Sequence, residues 1–251
     1  MEDITKEVFK ALSTFVNEEK RLLLPRFFKT GKGEYGEGDK FIGVVVPDIR
    51  TVAKRFADLS MADIDRLLAG EWHEMRTCAL FILVMQAERC QKTLARRQTP
   101  PPAEKKAAEQ EWGRLVDFYL AHSARINNWD LVDLSAPQVV GRYLIGRPRD
   151  VLYRLAESDL LWDNRIAIVS TYALIKVGEL DDTYRLALQL LHHPHDLMHK
   201  AVGWMLREAG KCDRRRLYDF VETHRSEMPR TMLRYAIEHF DKETRKHLMR
   251  K

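Results

Sequence analysis

The stretch NRIAIVSTYALIKVG, Asn164 to Gly178, sets a basic residue near the head of a long apolar run. Its apolar residues recur at three- and four-residue spacing, the period of a helix face rather than of a strand. The same pattern opens at Arg76 in MRTCALFIL, at Lys200 in HKAVGWML and at Arg230 in PRTMLRYA. ITKEVFKALSTFVN, AEQEWGRLVDFYLAHS, TYRLALQLLHH and RRLYDFVETHRSE carry the helical period as well. One run is strand-like, FIGVVVP at Phe41 to Pro47, and it has no partner to pair with. It reads as an extended lead into a helix beginning near Asp48, since the residue before a proline avoids helical dihedrals. The chain is expected to be all-α.

The helices also repeat. Arg165, Lys200 and Arg230 are 35 and 30 residues apart, Trp129 lies 36 before Arg165, and each run follows a shorter helix and a turn. Two helices in a period of roughly 30 to 45 residues mark an α-solenoid of HEAT-like pairs. Five or six pairs in one domain, 1–251, are expected. From Arg76 to Trp129 the spacing widens to 53, and the excess is visible as RRQTPPPAEKKAAEQ. That Pro-rich, charged insertion predicts an exposed loop near 96–105 leading into a helix. In a solenoid, matching points of successive second helices line a concave face. Trp129 with Asp133, Arg165, and Trp204 with Arg207 fall at comparable depths of three units and are expected to converge on one ligand.

Composition excludes several classes. With 251 residues, 45% hydrophobic and 31% charged, the chain can bury a sizeable core and is not of the disordered type. The longest apolar run, CALFILVMQA, is about half of the roughly 20 residues that cross a bilayer, so no membrane span is expected. The acidic, amphipathic MEDITKEVFKAL does not read as a signal peptide. Cys78, Cys90 and Cys212 are too sparse for a metal or redox motif and suit a reducing, cytoplasmic setting. Net charge is +5, and Lys211 to Lys251 alone holds 12 Lys or Arg against 7 Asp or Glu. A basic end points weakly to a polyanion, and a solvated surface explains it equally well.

RINNWDLVDLSAPQVV, Arg125 to Val140, poses the chemical question. Asn127 or Asn128 can cap a helix, and Asp130 then lies in its first turn, where the helix dipole favours negative charge. Trp129 and Asp133 remain, four residues apart and so on one helix face. Asp133 could equally be a helix carboxylate bridging a neighbour such as Arg165, and Trp129 and Trp204 could be packing residues. HHPHDLMH at His192 to His199 has His195 and His199 at a chelating spacing, yet it contains Pro194 and lacks further ligands, so an exposed loop is expected there and no metal. KTGKGEYGEGDKF, Lys29 to Phe41, has four glycines, but Glu34, Glu37 and Asp39 would repel a phosphate; it reads as a structural loop. Were Trp129, Asp133, Arg165 and Trp204 to line a groove, the chemistry narrows. Aromatic faces attract cations, a carboxylate stabilises an oxocarbenium-like sugar, and basic groups hold phosphates. Together they suit hydrolysis of an N-glycosidic bond in nucleic acid.

FFKTGKGEYGEGDKFIGV, NNWDLVD, WDNRIAIVSTYALI and KAVGWMLRE closely resemble the AlkD-type DNA alkylation repair glycosylases, in the right order from about Leu24 to the C-terminus. The resemblance implies a HEAT-like array gripping duplex DNA in its concave face and excising cationic N3- and N7-alkylpurines, of the 3-methyladenine and 7-methylguanine type. It implies Asp133 as the catalytic carboxylate, Trp129 and Trp204 as the pair packing on the lesion deoxyribose, Arg165 as a phosphate clamp, and Arg207 following the backbone one turn below. Where some members place a tyrosine, this chain has Phe27, without the hydroxyl. No cofactor or metal is expected, the partner is duplex DNA containing alkylated bases, and the protein is expected to be a monomer. No glycosylase pocket for a flipped base is apparent, which agrees, because a cationic purine already leaves readily. A non-catalytic HEAT-like scaffold for DNA structures or a protein partner is the principal alternative. An RNA-binding repeat would need a base-reading pair in each unit, and none is found.

Overall fold

A computed structural model describes residues 3–96 and 101–250. Positions 97–100 of the expected Pro-rich loop lie outside the described residues. The following helix already begins at Pro102, so 102–105, expected as loop, are helical. A proline fits that first turn because its missing N–H is not required there.

Fourteen α-helices occur among the described residues, and they carry no strand. The all-α expectation holds. The chain divides into two compact units, Met1–Ser135 and Ala136–Lys251. In the first unit, α1 (Ile4–Ser13), α2 (Glu18–Phe27), α3 (Val46–Arg55) and α4 (Met61–Leu68) precede the long α5 (His73–Leu94) and α6 (Pro102–Ala121). α7 (Trp129–Ala136) closes it. α1, α3, α4 and α6 all pack against α5. The first turns of α5, His73 to Val84, are therefore buried all round, and from Cys78 onward their sequence is apolar on every face. No helix is long and apolar enough to cross a membrane among the described residues.

The segment before α3 is extended, as expected, but has no sheet. An isolated bridge joins Lys40 and Trp72. Its backbone is satisfied by a side chain instead: the buried Glu74 carboxylate accepts the N–H groups of Ile42, Gly43 and Val44 at 2.9, 2.8 and 3.1 Å. Three amide donors compensate the cost of burying that acid. α3 starts at Val46, two residues earlier than read, with Pro47 in its first turn.

α7 runs directly into a π-helical turn, Pro137–Gly141. The second unit continues with α8 (Asp150–Ala156), α9 (Leu161–Ile175), α10 (Asp181–Gln189), α11 (Asp196–Cys212), α12 (Arg214–His224), α13 (Arg230–Ala236) and α14 (Lys242–Leu248). Helix α9 packs against α8, α10 and α11, and α11 packs against α9, α10, α12 and α13. These are successive HEAT-like pairs, a short helix followed by a second helix that packs on the next. Second helices start at Leu161, Asp196 and Arg230, after 35 and then 34 residues. The period is thus more regular than the basic residues suggested. Arg165 and Lys200 are both fifth in their helices, whereas Arg230 is first in its own; Arg234 takes the matching place. Close packing between second helices requires Gly203, where a Cβ would lie 2.5 Å from the Met232 carbonyl oxygen.

Candidate functional site

Asn128, fully buried, starts α7: its side-chain oxygen accepts the Trp129 N–H at 2.8 Å and its carbonyl the Val132 N–H at 3.2 Å. The Asn pair was therefore correctly read as a helix start. Trp129, half-buried, is then held on three sides. Its ring lies 5.4 Å from Phe28 and 5.9 Å from Phe27, edge-on to the latter. Its indole N–H donates to the Tyr35 hydroxyl at 3.2 Å. Phe27 itself, at the end of α2, is 58% exposed. The structure thus brings Phe27 and Trp129 together.

Tyr35 belongs to the Gly-rich loop, whose acids explain its structure. Glu34 accepts the Gly31 N–H at 2.9 Å and Glu37 the Gly33 N–H at 2.7 Å, so these carboxylates close the loop's own turns. The loop is structural, as read, but it also reaches the Trp129 indole and, through Asp39, the core.

Asp133 stands one turn after Trp129, partly exposed. Its charge reaches the buried Tyr119 phenol, which burial, and to a smaller extent Asp133, push above the ordinary tyrosine range, against its hydrogen bond with Ser135. Tyr119 and Ser135 are linked at 2.8 Å.

Asp130 stands in the first turn of α7 but not as a simple helix-dipole charge. It is buried, and its carboxylate lies 2.8 Å from Nε2 of the buried His73. The other ring nitrogen, Nδ1, is 3.1 Å from Asp39, which also accepts from Arg76 at 2.5 Å. Phe41 stacks on the imidazole at 4.7 Å and Phe28 lies against it at 4.9 Å. Burial disfavours a charged imidazole, but Asp130 and Asp39 outweigh it and push His73 up to about 9. Burial likewise would raise Asp39, yet His73 and Arg76 hold it below the usual carboxylate range. No local pattern reveals this cluster, because His73 lies 57 residues before Asp130 and Asp39 a further 34 before His73.

In the second unit, Arg165 is 4% exposed and donates from Nη1 to the Leu197 carbonyl at 2.7 Å, tying α9 to the start of α11. Trp204, half-buried on α11, leans on Tyr172 at 5.9 Å. Arg207, one turn on, is ion-paired with Glu238. It helps line a cavity of about 290 Å³ with Lys211, Arg214 and His239. Asp133 and Trp129 belong to the first unit, and Arg165, Trp204 and Arg207 to the second.

The histidine run is more ordered than the exposed loop expected of it. His195 caps α11, its Nδ1 accepting the Leu197 N–H at 3.1 Å. His193 and His199 bond to Asn164 and to the His193 carbonyl, at 3.1 and 2.6 Å. Burial, with neighbouring histidine charge, holds His193 below its ordinary value. Among the described residues no group of His, Cys, Asp and Glu could hold a metal ion.

A family model described as DNA alkylation repair enzyme matches residues 8–240. Among solved structures, a predicted DNA alkylation repair enzyme from Enterococcus faecalis is similar, with a TM-score of 0.57 and 12% identity over 90% of this chain and 97% of that one. At that identity the likeness concerns the fold. No curated protein matches.

Proposed function

Because the chain belongs to the DNA alkylation repair enzyme family, we propose that it is a monofunctional DNA glycosylase. It removes cationic alkylpurines, of the 3-methyladenine and 7-methylguanine type, from duplex DNA. The observation that carries this reading is the division of labour in WDLVD: Asp130 is sequestered on His73, while Asp133 remains partly exposed one turn beyond a braced Trp129.

The chemistry asks little of the protein. As the bond between C1′ and the purine nitrogen breaks, its electron pair goes to the base and cancels the base's positive charge. The sugar is left oxocarbenium-like. The ionised Asp133 stabilises that charge and orients a water, whose oxygen bonds to C1′ and whose proton passes to the carboxylate or solvent. The products are free base and an abasic site. No general acid is needed, since the leaving base departs neutral. Trp129 presents its aromatic face to the cationic sugar. Arg207 contacts the phosphate backbone, and Arg165 sets the α9–α11 junction beside it. A Schiff-base route would need an amine; α7 contains no lysine, and Lys200 is engaged by Asp196 at 2.7 Å.

Incubation with methylated duplex DNA should release 7-methylguanine and 3-methyladenine without strand cleavage. Duplex bound but no base released would replace the enzyme with a binding scaffold.

A further inference from the structure

We propose that Asp39, His73 and Asp130 form a positioning clamp, with the His73 imidazole tying the Gly-rich loop to the head of α7 and so setting the pose of Trp129 and Asp133. Only the activity readout of this proposal rests on the glycosylase reading.

Both ring nitrogens of His73 face a carboxylate, Asp39 at 3.1 Å and Asp130 at 2.8 Å. An ionised carboxylate only accepts, so both contacts are hydrogen bonds only when both nitrogens carry protons. The charges then close: Asp39 and Asp130 against His73 and Arg76. Asp39 faces the ring from the loop, Asp130 from α7 and Arg76 from α5 itself, while Glu74 on α5 is turned to the amides of residues 42–44. A neutral imidazole has one N–H. One carboxylate would lose its imidazole donor, and the buried cluster would carry a net negative charge. The clamp holds while His73 is charged, consistent with its displacement to about 9.

The clamp acts on the site through short covalent paths. Asp130 lies between Trp129 and Leu131, and Asp133 follows within one turn, so any slide or rotation of this turn carries both Trp129 and Asp133 with it. The loop grips α7 twice. Tyr35 takes the Trp129 indole N–H at 3.2 Å, and Asp39 reaches Asp130 through His73.

Two readouts on the full chain test it. Trp129 emission is isolated as the difference between wild type and Trp129→Phe, and followed from neutral to alkaline pH. A transition with a midpoint near the His73 value of about 9 is expected, and His73→Gln should lack it. Single-turnover release of 7-methylguanine at saturating protein should fall through the same midpoint. His73→Gln at neutral pH should be slower by on the order of tenfold, with duplex affinity unchanged, because the loss is one of geometry. If His73→Gln does not fold, the wild-type difference titration decides alone, and absence of its alkaline transition overturns the clamp. A folded His73→Gln that excises at the wild-type rate also overturns it. Should wild type release no base while the Trp129 transition is present, the glycosylase reading falls and the clamp stands.

Discussion

In the first unit Trp129 and Asp133 stand on a helix whose head is tied down by buried charge, Asp130 on His73. In the second unit the candidate residues are held by gentler means: Arg165 by a backbone carbonyl, Trp204 by a tyrosine ring, Arg207 by the half-exposed Glu238. The difference matters for what can be perturbed. A buried ion cluster answers to pH and to removal of any member, since each remaining charge is left in a poor solvent. An exposed pair answers mainly to salt and contributes roughly 0 to 1 kcal/mol. The head of α7 should therefore be brittle to charge changes, and the Arg207–Glu238 pair tolerant of them.

Asp130→Asn should break that contrast most forcefully. It leaves a buried imidazolium facing a neutral amide, and removing one partner of a buried pair costs about 3–5 kcal/mol. Calorimetry should show a large loss of melting temperature, where a simple helix-dipole charge would lose a few tenths of a kcal/mol. The pH dependence follows from the same cluster. His73 is raised from 6.5 to about 9, so its contribution is complete below the unfolded value and disappears as pH rises through about 9. Asp39 is lowered from 3.8, so its contribution is present above that value and disappears on acidification. A shift of His73's size corresponds to about 3 kcal/mol. Melting temperature should thus decline on the alkaline side, and less so in Asp130→Asn. An identical alkaline decline in both proteins would refute the assignment to His73.

Asp133→Asn sharpens the contrast from the other side, because it removes the carboxylate proposed for the chemistry and leaves Asp130 on His73. Asn keeps the shape and removes the charge, so excision should fall by on the order of 10² or more, about 3 kcal/mol of transition-state stabilisation. Stability should change by roughly 0 to 1 kcal/mol, and duplex binding should survive or tighten. Single-turnover release with melting temperatures alongside separates the two carboxylates. Full activity in Asp133→Asn would remove the role assigned to it.

What the sequence disclosed follows the same division between local and distant effects. Helices showed because their apolar period is local, and the Asn128 start of α7 showed because a cap acts on the next few residues. The Trp129 and Asp133 pairing was legible for the same reason, as an i, i+4 relation. Asp39, His73, Arg76 and Asp130 were not. Each has an innocent local reading, a loop acid, a helix-start histidine, a helix-head cation and a first-turn charge, and only the fold brings them together. Glu74 was hidden likewise, since a carboxylate that accepts three amides of a distant extended segment leaves no periodic trace. The repeat was visible but misaligned at Arg230, because a basic residue marks a helix start less strictly than the packing that fixes the 35- and 34-residue steps.

The arginines of the second unit give a smaller effect and a test of tolerance. Arg165→Ala removes a buried donor from the Leu197 carbonyl and leaves a space, costing roughly 1–3 kcal/mol of stability. Arg207→Ala should cost about 1 kcal/mol, since Glu238 is half-exposed and can be rehydrated, and the buried Glu208, 3.6 Å from Arg207 Nε, keeps Lys211 at 2.7 Å. In duplex binding the order reverses if Arg207 meets a phosphate: affinity should fall and the slope of log affinity against log salt should drop by about 1. A binding titration at several salt concentrations, on damaged and undamaged duplex, measures both. An unchanged slope in Arg207→Ala would confine Arg207 to its pair with Glu238.

Phe27 should give the smallest effect, and it asks what an exposed ring does beside a braced one. With 58% of its surface in solvent it contributes little to the core, but its edge meets Phe28 at 5.0 Å and Trp129 at 5.9 Å. Such contacts contribute about 0.5–1.5 kcal/mol each beyond area burial. Phe27→Ala removes the lateral stop on the Trp129 indole while leaving the Tyr35 hydrogen bond, so excision should fall by several-fold at most, with a small loss of melting temperature. Phe27→Tyr retains the ring and adds a hydroxyl at a solvated position, so stability should stay within about 0.5 kcal/mol. If that hydroxyl faces DNA, duplex affinity should rise by the roughly 0.5–1.5 kcal/mol of one hydrogen bond. Affinity unchanged in Phe27→Tyr, with excision reduced in Phe27→Ala, would mean that position 27 serves Trp129 and not the duplex. The reverse pattern would place it on the DNA side of the site and leave the bracing of Trp129 to Phe28 and Tyr35.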